Sequence, residues 1–231
     1  MSTLLLKLKG PLQSWAAQSR YRTREAGVAP SKSGVLGLLA AAQGRRRTEP
    51  VEDLVGLSFG VRADQPGALQ RDFQTATDWR KGPPGSLTYR YYLSDAVFLA
   101  AVSGDDALIE DLQRAVRSPR FPLFLGRRSC PANPDLLIGI RDGDLREILY
   151  SEPWLASDWY RREQPRKLSL ALYRDAEPGE PGDDLQDVPI SFNPEHRQYA
   201  WRRVVAESVR IENPVGRHRT ADPYIEAVMA P

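Results

Sequence analysis

The sequence is poor in the residues that do redox, metal and general-base chemistry. One cysteine, Cys130, stands alone among 231 residues, so no internal disulfide is possible and a reducing cytoplasm is the expected compartment. The two histidines, His196 and His218, lie far from the motifs described below, and with one cysteine they offer no metal-ligand spacing. No metal, cofactor or catalytic residue is therefore expected. Lysine is also scarce: of 32 basic residues only five are lysines (Lys7, Lys9, Lys32, Lys81 and Lys167), which leaves 27 arginines. No apolar run reaches the length of a membrane span, and the first nine residues alternate without the basic leader of a signal peptide. No membrane partner is expected.

What is present describes a folded chain. Hydrophobic residues make up 41% and charged residues 27%, the balance of a globular protein of one large or two small domains. The formal net charge of +2 does not by itself announce a nucleic-acid partner. The arginine bias does suit one, because a guanidinium forks phosphate and stacks on bases. A GC-rich genome would produce the same bias, and composition does not separate the two.

Periodicity sets out an α+β order. Residues 3–8 read as a buried strand ended by Gly10 and Pro11, and residues 34–43 as an Ala/Leu-rich helix capped by Ser31 or Ser33 and closed by Gly44. A helical turn at 52–55 precedes a strand at 57–62. A strong apolar strand follows at 95–102, then a helix at 105–116 with Leu108, Leu112 and Val116 on one face, and a strand at 121–125 broken at Gly126. This βαββαβ order is that of a ferredoxin-like (RRM-like) domain, expected over residues 1–135. The aromatic signature by which RRM modules stack bases is missing. Between the second and third strands, roughly residues 69–93, two strand-like segments flank a Gly/Pro tip and predict a protruding hairpin. Its tyrosines alternate with Arg90 and either bracket bases and phosphates or pack on the body. Residues 136–231 predict a small antiparallel β appendage with a helix near 144–150, strands at 167–173 and 201–211, and a flexible acidic loop at 177–187.

Three short blocks carry the chemistry. Residues 10–15 read Gly-Pro-Leu-Gln-Ser-Trp, residues 30–39 Pro-Ser-Lys-Ser-Gly-Val-Leu-Gly-Leu-Leu, and residues 125–130 Leu-Gly-Arg-Arg-Ser-Cys. Ser31, Lys32 and Ser33 imitate the end of a P-loop, but Ala26 and Ser31 stand where its glycines belong, which excludes nucleotide hydrolysis on that motif. The same residues open a helix, where free amides and the dipole attract phosphate, or else form a plain serine cap with a solvated lysine. Gly126 permits close backbone approach, and Arg127 and Arg128 point to opposite sides, for phosphate or for internal pairing. Arg45, Arg46 and Arg47 read as a solvated helix end.

Taken together, these blocks resemble the Cas-five family of type I-E CRISPR–Cas systems, a subunit family of the Cascade surveillance complex. The resemblance is carried, in order, by residues 10–15, Thr23 with Arg24, residues 30–34, residues 59–62, residues 72–75, residues 92–96 and residues 125–130, spanning about residues 4–135. It implies a non-catalytic subunit that binds and caps the 5′ handle of the mature CRISPR RNA in antiviral defence. Its implied neighbours are Cas-seven backbone subunits and the large Cascade subunit, with target DNA met through the complex. Residues 69–93 would hold a thumb whose Arg90 faces the RNA, and Arg24, Ser31, Lys32, Ser33, Gly34, Gly126, Arg127 and Arg128 would line the handle groove. Related type I-C subunits cut precursor RNA, so a metal-independent endoribonuclease is the alternative. Gln74 replaces a histidine common in the family, and that position is given no catalytic part.

Overall fold

A computed structural model describes residues 1–15, 29–75, 80, 85 and 87–217, together with the backbone of residues 23–24. The expected hairpin tip at 82–84, Lys81 and His218 lie outside the described residues. In chain order the elements are β1 (Ser2–Lys9), β2 (Leu12–Gln13), β3 (Thr23–Arg24), α1 (Lys32–Gln43), α2 (Glu52–Val55), β4 (Ser58–Gln65), β5 (Ala68–Thr75), β6 (Leu87–Ser94), β7 (Val97–Gly104), α3 (Asp106–Arg117), β8 (Leu137–Asp142), α4 (Leu145–Ser151), α5 (Asp158–Glu163), β9 (Lys167–Asp175), β10 (Asp183–Ser191) and β11 (Gln198–Glu212).

Helices α1, α3 and α4 start where a side chain satisfies their first amides. Ser31 caps α1 by accepting from the Gly34 amide, and Asp105 caps α3 by accepting from Ala107 and Leu108. Gly44 ends α1 in the left-handed region at φ 84°, and its amide bonds back to Ala40 and Ala41. On α3 the buried stripe is Ile109, Leu112 and Val116, with Leu108 half-buried at its margin.

One seven-stranded sheet runs β10-β11-β9-β4-β7-β1-β8, with every neighbour antiparallel. The centre of β1 carries leucines on both faces, and both are covered there. Leu4, Leu6 and Leu8 join Phe59, Phe98, Leu36 and Leu112 in the larger core under α1 and α3. Leu5 turns the other way, to Leu99, Leu149 and Leu172 beneath α4. The strand expected at 121–125 is not one: only Phe124 bridges to Pro131, and β8 takes the edge beside β1 instead. Pro122 removes a ladder donor from the first segment. β8 was hidden because its short run bends at a register shift opposite Leu5 and Leu6, with Gly139 at φ 145°. The sheet thus draws strands from both sides of residue 135.

A second, smaller sheet is built on β6. β5 and β6 form the expected hairpin in continuous antiparallel register from Ala68 opposite Ser94 to Thr75 opposite Leu87. The other edge of β6 takes β2 antiparallel and β3 parallel, and places Arg24 beside Arg90 in the backbone register.

The acidic stretch expected to be loose is strand from Asp183 onward, because β11 pairs it and Arg202 neutralises Asp187. Ion pairs also bind β9 to β11. Arg174 donates to Glu180 at 2.7 and 2.6 Å and to Glu207 at 2.9 and 2.5 Å. The Arg174 bonds, with the Glu177 amide, hold the Glu180 carboxyl down from its ordinary 4.5 to about 2. A depressed carboxylate contributes stability that is complete above its unfolded value and is lost as pH falls through the folded one. Glu180→Gln is therefore expected to lower stability at neutral pH and to flatten its decline between about pH 4.5 and about pH 2, read from urea midpoints across that window.

Candidate nucleic-acid interface

A cleft of about 830 Å³ lies along α1. Its lining gathers Ser31, Ser33 and Gly34 from the start of the helix, Gly126, Arg127 and Arg128 from the loop after residue 125, and Arg45, Arg46 and Arg47 from beyond the helix end. Phe121 and Phe124 add apolar surface. Apart from Leu38, the α1 residues that line the cleft are small (Ser33, Gly34, Gly37, Ala40 and Ala41), so a ligand can approach close to the helix backbone. A cleft with a largely small-residue floor and an arginine rim suits a flexible polyanion.

The short blocks build this cleft partly as scaffold. Gln13, fully buried, donates to the Leu8 and Ala96 carbonyls and accepts from the Trp15 indole at 2.9 Å. Trp15 in turn lies on Gly34, where an added Cβ would stand 2.8 Å from the ring. Gly126 adopts φ +83°, and an added Cβ would stand 1.9 Å from the Ser14 carbonyl oxygen. The glycines therefore let the 10–15 segment, α1 and the arginine loop pack directly on one another.

Arg127 and Arg90 meet around Tyr92. The Arg127 guanidinium carbon sits 4.8 Å from the Tyr92 ring centroid, and Arg90 precedes Tyr92 by two residues on the same face of β6. Burial pushes the Tyr92 phenol up, yet hydrogen bonds with Arg127, Ser129 and Arg90 and the Arg127 charge bring it below the ordinary tyrosine value. Two guanidiniums held against one phenol make a cationic corner beside the cleft. Arg24 enters this corner by backbone register only, and its side chain lies outside the described residues.

Lys32 is placed differently from the expectation. Its ammonium is almost fully buried and pairs with Asp175 at 3.0 Å, and it is absent from the cleft lining. The helix start is also less open than a phosphate cradle requires. The Lys32 amide donates to Asp187 at 2.8 Å and the Gly34 amide to Ser31 Oγ at 3.2 Å, so the protein supplies its own anion there. Asp175 and Asp187 lie far along the chain, and no local signal placed them at this helix.

Sequence reasoning missed part of the cleft. Arg45 is tied to Asp53 by a bidentate pair, and Arg46 and Arg47 are exposed beyond the helix end as expected, but all three also line the cleft. Phe192, Arg197 and Tyr199 also line it, and nothing in their neighbourhood in the sequence marked them. His196 is exposed and bonded to Gln198. Among the described residues no three His, Cys, Asp or Glu side chains are placed to hold a metal ion, and no helix is long and apolar enough to cross a membrane.

Residues 3–205 match the family model for CRISPR-associated proteins of the Cas5 type. The CRISPR system Cascade subunit CasD of Escherichia coli strain K12 is 33% identical over 184 residues, covering 70% of this chain and 82% of that one. A crystal structure of a Cas protein is 38% identical, with a TM-score of 0.68 over 94% of this chain and 98% of the other. A chain of a CRISPR RNA-guided surveillance complex is 29% identical, with a TM-score of 0.76 over 98% of both chains. This chain belongs to the Cas5 family of CRISPR-associated proteins, with the type I-E CasD subunit of Cascade among its relatives.

Proposed function

We propose that this protein is the RNA-binding subunit of a type I-E Cascade complex that holds and caps the 5′ handle of the mature CRISPR RNA without cutting it, in the cytoplasm. The observation that carries the reading is the arginine-rimmed cleft beside α1. The order β4-β7-β1-β8, with α1 and α3 on one face, supports a ferredoxin-like platform, and the β5–β6 hairpin is its candidate thumb. Arg127 and Arg128 would grip phosphates, Arg90 and Tyr92 would meet the RNA where the hairpin joins the body, and Ser31, Ser33 and Gly34 would form the floor. Lys32 would act from behind, by fixing the helix start on Asp175. Phosphate contacts of this kind position the strand, and splayed bases supply discrimination. Cas-seven backbone subunits and the large subunit would dock around the bound RNA, and target DNA would be met through them.

Binding of labelled single-stranded RNA across a salt series tests the reading. Each phosphate contact contributes about −0.7 to the slope of log K against log salt, so Arg127→Ala with Arg128→Ala should make the slope shallower by about 1.4 and weaken binding at moderate salt. An unchanged slope would remove both arginines from the site. RNA recovered from the same reactions in EDTA should be intact, and specific cleavage there would favour the endoribonuclease alternative.

A further inference from the structure

One wall of the cleft comes from the far end of the chain. Phe192, directly after β10, lies over Gly37 of α1, where an added Cβ would stand 3.4 Å from the ring. Arg197, just before β11, and Tyr199, within its first residues, line the same cleft as Arg127 and Arg128. Arg197 is exposed and Tyr199 half-buried, so both are within reach of a ligand.

This wall is fastened to the floor by a buried ionic net. Arg202 of β11 donates to Asp187 of β10 at 2.6 and 3.0 Å and to Asp175 of β9 at 2.7 Å. The two carboxylates then receive the Lys32 amide and ammonium of α1, at 2.8 and 3.0 Å. Asp187 is fully buried and Arg202 nearly so. A satisfied network of this kind holds one geometry, because any displacement strands a buried charge. The separation between α1 and the β10–β11 connection is thereby set before any ligand arrives.

We infer that residues 192–199 form a nucleobase-binding wall of the cleft, with Tyr199 stacking on a base and Arg197 pairing with a neighbouring phosphate. The inference rests on the RNA-binding reading above. The other cations named there grip backbone, which every sequence shares. An aromatic next to an exposed arginine adds the planar surface that a splayed base needs. The C-terminal strands would then take part in RNA recognition instead of merely packing on the platform.

The test uses the full chain and a ten-residue oligouridine carrying 4-thiouridine. Ultraviolet crosslinking should mark a peptide containing residues 192–199. Arg197→Ala with Tyr199→Ala should weaken binding by about tenfold or more, the scale of one lost stacking contact, with the thermal midpoint unchanged. Tyr199→Phe should bind like the unmodified chain, since stacking does not use the hydroxyl. Crosslinks confined to α1 and the loop after residue 125, with the double variant binding normally, would overturn the inference while leaving the RNA reading intact. A chain that binds no oligouridine, before or after Arg127 and Arg128 are replaced, would overturn that reading and this one with it.

Discussion

Arg62→Met is expected to bring the chain close to unfolding. Arg62 and Asp64 are fully buried and paired at 2.6 Å. The same guanidinium donates to the carbonyls of Leu149, Glu152 and Pro153 at 2.6 to 2.9 Å. Asp64 also accepts the Leu155 amide at 2.6 Å, and its carbonyl receives the Trp154 indole at 2.7 Å. This one pair therefore ties the chain after α4 to the centre of β4. Removing one member of a buried pair costs about 3–5 kcal/mol, because the other charge stays in low dielectric without a partner. Total stabilities run to about 5–15 kcal/mol, so a loss of that size takes a large share. Arg62→Met combined with Asp64→Leu should recover part of it by removing the stranded carboxylate, while the three carbonyls still lack a donor. Urea unfolding of the four proteins in this double-mutant cycle measures the coupling. A cost below about 1 kcal/mol for Arg62→Met would contradict the structure's account of this pair.

Gly126→Ala is the second substitution with a large expected effect, and it should damage stability and RNA binding together. Position 126 has φ +83°, and the new methyl would stand 1.9 Å from the Ser14 carbonyl oxygen. That contact cannot persist, so the arginine loop must lift from the 10–15 segment. The Ser14 amide bond to the Leu125 carbonyl, 3.1 Å long, would go with it. Gly179 supplies the control. It has nearly the same φ, +85°, with nothing within 4 Å of an added Cβ, so Gly179→Ala should show the left-handed strain alone, about 1–2 kcal/mol. The excess loss in Gly126→Ala measures the clash, and a lowered RNA affinity reports the displaced Arg127 and Arg128. Equal losses in the two variants would mean that the Ser14 contact is relieved cheaply.

The comparison of sequence with structure turns on distance along the chain. The Ser31 and Asp105 caps, the Gly44 stop and the apolar run of β7 all act within a few residues, and each element was legible with its ends nearly right. The hairpin of β5 and β6 was legible because its strands close on each other locally. The strand expected at residues 121–125 falls at β8 instead, since residues 121–125 have a stronger apolar pattern than β8 and only pairing with β1 selects the latter. Among the site residues, Ser31, Ser33, Gly34, Gly126, Arg127 and Arg128 do share one cleft. Lys32 reads locally like its serine neighbours, and only the arrival of Asp175 turns it into a buried tether.

The sequence alone determined the α+β order, the family and the blocks that assemble the cleft, because capping, periodicity and glycine placement depend on neighbours in the chain. Which cations line the cleft and which are locked inside follows from the folded arrangement. That choice depends on acids brought from 143 and 155 residues away, Asp175 and Asp187, and a charge has no fixed role until its partner and its exposure are set. The wall formed by Phe192, Arg197 and Tyr199 belongs to the same class. It exists only because β10 and β11 extend the sheet back to α1, a placement that no local pattern encodes.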